Sequence, residues 1–559
     1  MLERVFTCIS TFELLDSRHL LSNDTWITFS LWIVSTSIIH AFLRRHEPTF
    51  FGYLYGLGFF LVLFGLLFRS SLVALKILVM GNLLLGIHIA FYRLTWHELR
   101  AFPGPPLGAI TQFWVLREAY LGRTRFTMHK LGLKYGDWVR IGPNELYTGS
   151  VDALWAIMGP KGWAKGVSYD SGITKDRQGG DSVLTLKSLA DHAPRRRIWE
   201  KAFTPKAIAS YLPSIEARIE QLLTVVDDHV LNNQPMDLCL QIGYFAYDTM
   251  TDMAFGGGTN LLLTQKDKHG ILHHMGQVVQ QVGILRNVPW VTALVNSFSN
   301  AKIREQASFR EFTKSMFVRR YKQGLATELD VFHYLLGEDS ETGTKLNISE
   351  LLADSTLVVI AGADTTRTVL IALFLYLLRS PEHMRRLQSA LEEATDLSGP
   401  SLARIPYLDA CLKEAMRLQP PSPANLQRVC PPEGAVIDGK MIPGGTKVRF
   451  SNWAMQRDAR YFEAPEVFWP ERWLNNPSPA QPHNPRALFA FMIGPGTCVA
   501  KNLAWMEMRL VVAHLLQKYD FQFAPGFDHE AFEKSWTDAY LILIEEPFLV
   551  QLKPRNWRS

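Results

Sequence analysis

One cysteine in this 559-residue chain is placed where a thiol can do chemistry. In Phe491-Met492-Ile493-Gly494-Pro495-Gly496-Thr497-Cys498-Val499-Ala500, a glycine-rich loop presents Cys498 just where an amphipathic helical pattern begins with Lys501-Asn502-Leu503-Ala504. Helix N-termini carry unpaired N–H donors and a partial positive charge, so a cysteine there is readily held as thiolate. With Phe491 to pack beside it, the sulfur has the setting that an axial ligand to haem iron needs. For a lone cysteine the competing reading is a buried thiol opening an ordinary helix. Three further stretches upstream decide against it.

The first is Ala361-Gly362-Ala363-Asp364-Thr365-Thr366, the centre of a helical pattern from Asn347 to Leu378. Gly362 would let a bulky planar group approach the backbone. The Thr365 hydroxyl can bond the carbonyl one turn earlier and open the helix locally. An acid followed by an alcohol beside an oxygen-activating iron is a proton relay, because protons must reach the oxygen before its O–O bond breaks. Thr365 is expected to hydrogen-bond that oxygen, and Asp364 to renew the proton supply. A polar kink in a core helix is the alternative.

The second is His192 and Arg196, spaced i, i+4 at a helix start and so projecting from one face. Arg195, Arg196 and Arg197 are consecutive and cannot all point inward. The third is Glu414 and Arg417, three apart on a helical pattern that Pro420-Pro421 ends. Glu382 and Arg385 repeat that spacing, but only the first pair is followed by Phe468-Trp469-Pro470-Glu471-Arg472-Trp473.

In this order the stretches resemble the cytochrome P450 family, whose haem loop usually reads F-x-x-G-x-R-x-C-x-G. The resemblance covers the chain from about Leu107 onward. It implies a mainly α fold with a small β region, and haem b held by the Cys498 thiolate beside Phe491. It implies propionate contacts from Arg196, His192 and Arg428, and a buried Glu414–Arg417–Arg472 network that supports the cysteine loop. Two positions depart from the family: Gly496 replaces an arginine that pairs with a haem propionate, and Ala500 replaces a glycine. The second adds one methyl group. The first removes a charge-assisted contact, part of which Arg428 is expected to supply. Ala424 to Leu426 and Leu541 to Leu543 are expected to border the substrate, as is the Gly-rich segment from Gly159 to Gly180.

The elements that must position these residues read mostly as helix: to Tyr135, Pro205 to Leu231, Leu238 to Phe255, Lys302 to Gly324 and Asn347 to Leu378. Asn347 and Glu350 make a capping pair for the last of these. Asp354, Asp364 and Arg367 argue against its spanning a membrane, since each central charge costs roughly 2.5–3.5 kcal/mol on insertion scales. Trp138 to Gly142 and Glu145 to Tyr147 read as a β-hairpin turning at Pro143-Asn144. Val282 to Val295 suits an entrance loop dipping into the membrane and core packing about equally.

Residues 1–100 read as a tail and membrane anchor, with apolar runs near 26–43, 50–68 and 71–92 that each approach the roughly 20 residues a spanning helix needs. Arg44, Arg45 and His46 after the first run, and Arg93, His97 and Arg100 after the third, put the tail in the lumen and the remainder in the cytosol. Residues 101–107 form a proline-rich hinge, and 108–559 the catalytic domain. By resemblance the membrane is that of the endoplasmic reticulum. A net charge of +5 without basic blocks excludes a nucleic-acid partner, and five widely spaced cysteines match no disulfide or zinc pattern.

The reading that follows is a monooxygenase inserting one atom of dioxygen into a lipophilic small molecule, with NADPH electrons arriving through a separate flavoprotein reductase. Three anchor spans resemble fungal members of secondary metabolism, hence a terpenoid-like substrate. Two other readings stay open: a reductase-independent enzyme that rearranges or dehydrates peroxides, and a non-catalytic membrane protein that binds haem or lipid.

Overall fold

The computed structural model describes residues 71–555 except 171–179, 269, 291–300, 325–328, 395, 425 and 475–481. Among these residues helices dominate, and the strands are confined to small sheets.

The central element is the helix Ile348–Arg379. Its start is built as the sequence predicts. The Asn347 side chain accepts from the Glu350 N–H, while the Glu350 carboxylate accepts from the Asn347 N–H at 2.9 Å. Among the described residues it alone is long and apolar enough to cross a membrane, yet 78% of its most hydrophobic window is buried in the protein. Its charges explain why it belongs to the core. Asp354 accepts from Arg195 at 2.8 Å and Trp199 Nε1 at 3.1 Å. Arg367 donates to the carbonyls of Cys239 and Ile544. Buried charges with such partners are tolerable inside a protein and costly in lipid.

One expectation for its centre does not hold. The helix runs through Thr365 without opening, although Thr365 Oγ1 does donate to the Ala361 carbonyl at 2.8 Å. A Cβ on Gly362 would collide with the Met250 sulfur on the helix Leu238–Phe255. The glycine serves close packing of two helices.

The helices Pro205–Leu231 and Leu238–Phe255 have the expected bounds, and Ala301–Lys322 covers most of the third. Trp138–Gly142 pairs antiparallel with Glu145–Thr148, and Gly142 lies opposite Glu145. Lys447–Phe450 and Leu426–Val429 complete a four-stranded sheet.

At the N-terminal end, the run predicted at 71–92 falls on the helix Ser71–Thr95, which exposes Leu83, Ile87 and Phe91. The runs at 26–43 and 50–68, and the tail, lie outside the described residues, as do 291–295 of the suggested entrance loop; its first part belongs to the helix Ile271–Leu285. The proline-rich stretch is docked rather than free. Pro103 O accepts from the Arg140 N–H at 2.8 Å, and a Cβ on Gly104 would overlap the Arg140 carbonyl.

Candidate active site

The cysteine loop is fixed by its own backbone. Cys498 N–H donates to the Phe491 carbonyl at 2.8 Å, and the Thr497 N–H and hydroxyl both donate to the Gly494 carbonyl. Gly494 has φ +62° and lies so close to the Met158 and Gly159 carbonyls that no side chain fits. Met492 is also left-handed at φ +61°, a conformation costing a non-glycine residue on the order of 1 kcal/mol. The helix Lys501–Lys518 follows.

The thiol itself differs from the expectation of a ready thiolate. Burial raises its pKa, and the Ala500 N–H, Arg196 and Lys501 oppose that rise without reversing it. A cation coordinated by the sulfur would deprotonate it outright.

Behind this loop sits the predicted ionic network. Glu414, Arg417 and Arg472 are each at most 1% exposed. Glu414 accepts from Arg417 at 2.8 and 2.9 Å, from Arg472 Nε at 3.0 Å, from the Trp469 N–H at 3.0 Å and from Trp473 Nε1 at 2.8 Å. Arg417 also donates to the Gln456, Pro465 and Val467 carbonyls, which pins the segment leading toward the cysteine loop. Burial pushes the Glu414 carboxyl up, but the two guanidiniums outweigh it and hold the acid below its ordinary range.

One cavity joins the predicted site residues. Phe491, Gly496 and Cys498 line it together with Ala361, Gly362 and Thr365 of the long helix, and so do His192, Arg196 and Arg428. Arg196 Nη1 donates to the Thr497 carbonyl, tying the basic face to the cysteine loop. Its neighbours turn elsewhere: Arg195 to Asp354, Arg197 to Asp339. Arg428 donates to the Tyr169 hydroxyl at 3.2 Å, and its Nη2 lies 3.3 Å from where a Cβ of Gly496 would be. The space bared by the missing arginine is thus met by another guanidinium. Leu541 and Leu426 line the cavity as expected; Ala424 does not.

Asp364 is absent from the cavity wall. It is buried behind the helix, 3.6 Å from Arg367 Nη1, and its Oδ2 has no hydrogen-bond partner. Burial raises its pKa, with Arg367 opposing.

Among the cavity residues that escaped the sequence reading are Lys165, Tyr169, Glu507 and Arg286, which follows the helix Ile271–Leu285. Lys165 and Tyr169 come from the irregular Gly159–Gly180 segment, which carried only a composition signal. Burial, Arg428 and Arg196 lower Lys165 to about 7. His192 falls to about 4, chiefly through burial, with Lys165 and Arg196 adding to it. Glu507, on the cysteine helix, is raised to about 8 by burial, while a hydrogen bond with Thr366 acts against the rise. Nothing in its sequence context marked it.

The cavity fits haem b on three counts: a thiol in its lining, a helix face in the same lining, and basic groups for two carboxylates, with Glu507 the only acid among the described lining residues. Comparison with known proteins agrees. The family model for Cytochrome P450 matches residues 103–552. The chain belongs to the cytochrome P450 family. It is 60% identical over 537 residues to Cytochrome P450 67 of Uromyces fabae, covering 94% of this chain and 99% of that protein. It is also similar to Cytochrome P450 monooxygenase orf5 of Eupenicillium brefeldianum, at 31% identity over 84% of this chain and 94% of the relative. A third is Cytochrome P450 monooxygenase phqL of Penicillium fellutanum, at 29% identity over 83% and 82%. As a P450 the chain is a haem-thiolate monooxygenase, using haem b, dioxygen, an organic substrate and a redox partner.

Proposed function

We propose that Cys498 is the axial thiolate of this monooxygenase, with Phe491 packed beside the sulfur. Arg196 and Arg428 take the two haem carboxylates, with hydrogen bonds from His192 and Lys165. The observation carrying this assignment is the shared cavity of Cys498, Arg196, Arg428 and the Ala361–Thr365 face. Haem supplies the redox chemistry that activates dioxygen.

The chain's own residues supply protons and order. Thr365 lines the cavity; turned from the Ala361 carbonyl, its hydroxyl donates a hydrogen bond there and passes a proton onward. Asp364, kept protonatable by burial, reloads it from behind the helix. Glu414, Arg417 and Arg472 do no chemistry; they hold the segment that leads to the cysteine loop.

The finer reading is a lipophilic, terpenoid-like substrate of fungal secondary metabolism and electrons from NADPH through a separate flavoprotein reductase. Residues 1–100 anchor the chain by up to three spans in the endoplasmic reticulum, 101–107 form the hinge, and 108–559 face the cytosol as the catalytic domain. The fungal relatives and the exposed apolar side chains of Ser71–Thr95 support this.

The test is a reduced CO-difference spectrum of membranes carrying the full chain. We expect the Soret band of thiolate-ligated haem in the native protein and its loss in Cys498→Ala, with membrane association unchanged. A Cys498→Ala protein that kept the band would overturn the ligand assignment.

A further inference from the structure

Two neutral polar side chains of the cavity wall are left idle by the fold. Ser422 and Asn452 both line the cavity, and neither Ser422 Oγ nor Asn452 Oδ1 has a hydrogen-bond partner in the protein, although both atoms are buried. Asn452 as a whole is 1% exposed. Its neighbours are committed. Ser451 Oγ accepts from the Ala454 N–H at 3.2 Å as the cap of the short helix Asn452–Met455, and the Trp453 ring meets Phe126 and the Arg457 guanidinium. The buried amide of Asn287 shows the usual outcome: its Oδ1 accepts from Arg449 Nη1 at 2.8 Å.

A stiff segment brings the two together. Pro421-Ser422-Pro423 sets one serine between two prolines of fixed φ. The Pro421 carbonyl accepts from the Ile542 N–H at 2.9 Å. The Pro423 carbonyl accepts from Ser451 Oγ and from the Trp453 N–H, each at 2.9 Å. These last two bonds bracket Asn452, so the segments carrying Ser422 and Asn452 reach the wall pinned to each other. Groups held this way are ordered before a ligand arrives.

A buried polar atom without a partner is costly, and two on one wall call for a ligand that completes them. A serine hydroxyl turns about χ1, and a half-turn about χ2 exchanges the two ends of an asparagine amide. The pair can therefore donate or accept toward the cavity without carrying charge. Leu357, Val358, Leu426 and Leu541 supply apolar lining to the same cavity. Apolar walls with a few convergent neutral groups suit an apolar body that bears one neutral oxygen.

We propose that Ser422 and Asn452 hydrogen-bond a hydroxyl or carbonyl oxygen of the substrate, so that this P450 acts on a lipophilic skeleton that already carries a neutral oxygen function. This deepens the proposed function and rests on it: the oxygen held by the pair fixes which part of the skeleton reaches the Thr365 face. Discrimination comes from the penalty. A molecule lacking the oxygen leaves both polar groups buried and unpaired, which costs far more affinity than a missing methylene does.

The experiment titrates the full-length holoprotein with monocyclic, bicyclic and tricyclic terpene alcohols and ketones, each paired with its parent hydrocarbon. Binding is read from the Soret shift. We expect at least one oxygenated member to bind tenfold or more tightly than its hydrocarbon. Ser422→Ala and Asn452→Leu should each narrow that gap by weakening the oxygenated member alone, and Ser422→Thr should keep part of it. A second readout needs no ligand. Ser422→Ala deletes an unpaired oxygen, so it should raise the unfolding midpoint of the ligand-free holoprotein, whereas loss of a structural hydrogen bond would lower it. If every pair binds alike, water alone satisfies these atoms and the proposal is wrong. A preference that survives in both Ser422→Ala and Asn452→Leu, or a lowered midpoint in Ser422→Ala, would overturn it as well. A native chain without the thiolate CO band would instead sink the haem assignment, so the two failures are distinct.

Discussion

Two acid–arginine pairs at i, i+3 spacing sit in two buried helices of this protein and behave oppositely. Glu414 on Pro406–Leu418 receives donors from Arg417, Arg472, Trp469 and Trp473, and its carboxyl is held low. Asp364 on Ile348–Arg379 has one guanidinium nitrogen at 3.6 Å, because Arg367 spends Nε and Nη2 on backbone carbonyls. Its carboxyl is driven up instead. Spacing alone therefore does not set a carboxylate's job; the number of donors converging on it does. A fully satisfied acid is a strut. An under-satisfied one can take and release a proton.

The largest effect that could break this contrast is at the strut. Glu414→Gln leaves two buried guanidiniums short of their anion, at a typical cost of about 3–5 kcal/mol. We expect a lower unfolding midpoint and loss of the thiolate CO band. Asp364→Asn should keep that band and shift the midpoint far less, while product formation with a reductase falls several-fold. A stable Glu414→Gln protein, or an Asp364→Asn protein that loses haem, would reverse the two roles.

Next comes Thr365→Ala, which removes the hydroxyl of a residue that lines the cavity. Substrate binding by Soret shift should persist, with more NADPH electrons diverted to peroxide. Tight coupling of electrons to product in this variant would refute the relay.

The smallest effect is on pH. For Glu507 the folded value of about 8 exceeds the unfolded one, so the fold retains a proton that the unfolded chain releases. Its contribution is present below the ordinary glutamate range and is lost as pH climbs toward 8. Glu507→Gln should flatten this alkaline decline in denaturant melts. Glu414, held low, contributes the opposite slope: its stabilisation is present above the ordinary glutamate range and fades on acidification.

The loop around Cys498, the capping of the long helix by Asn347, the hairpin at Pro143-Asn144 and the Glu414–Arg417–Arg472 set were legible because each depends on short spacings and on residue types with narrow conformational uses. Lys165, Tyr169, Arg286 and Glu507 were not. They gather from the Gly159–Gly180 segment, the end of Ile271–Leu285 and the cysteine helix, and no local pattern records that meeting. The packing of Gly362 against Met250 was hidden for the same reason, since Met250 comes from a neighbouring helix.

By itself, then, the sequence singled out the sulfur and the alcohol of the proposed site and the buried ion network that the structure contains, because those follow from neighbours within a turn or two of chain. The tertiary structure decided which charges share a cavity and which acid is left under-satisfied. Burial and long-range packing set both the donors that reach a carboxylate and the cost of leaving it charged.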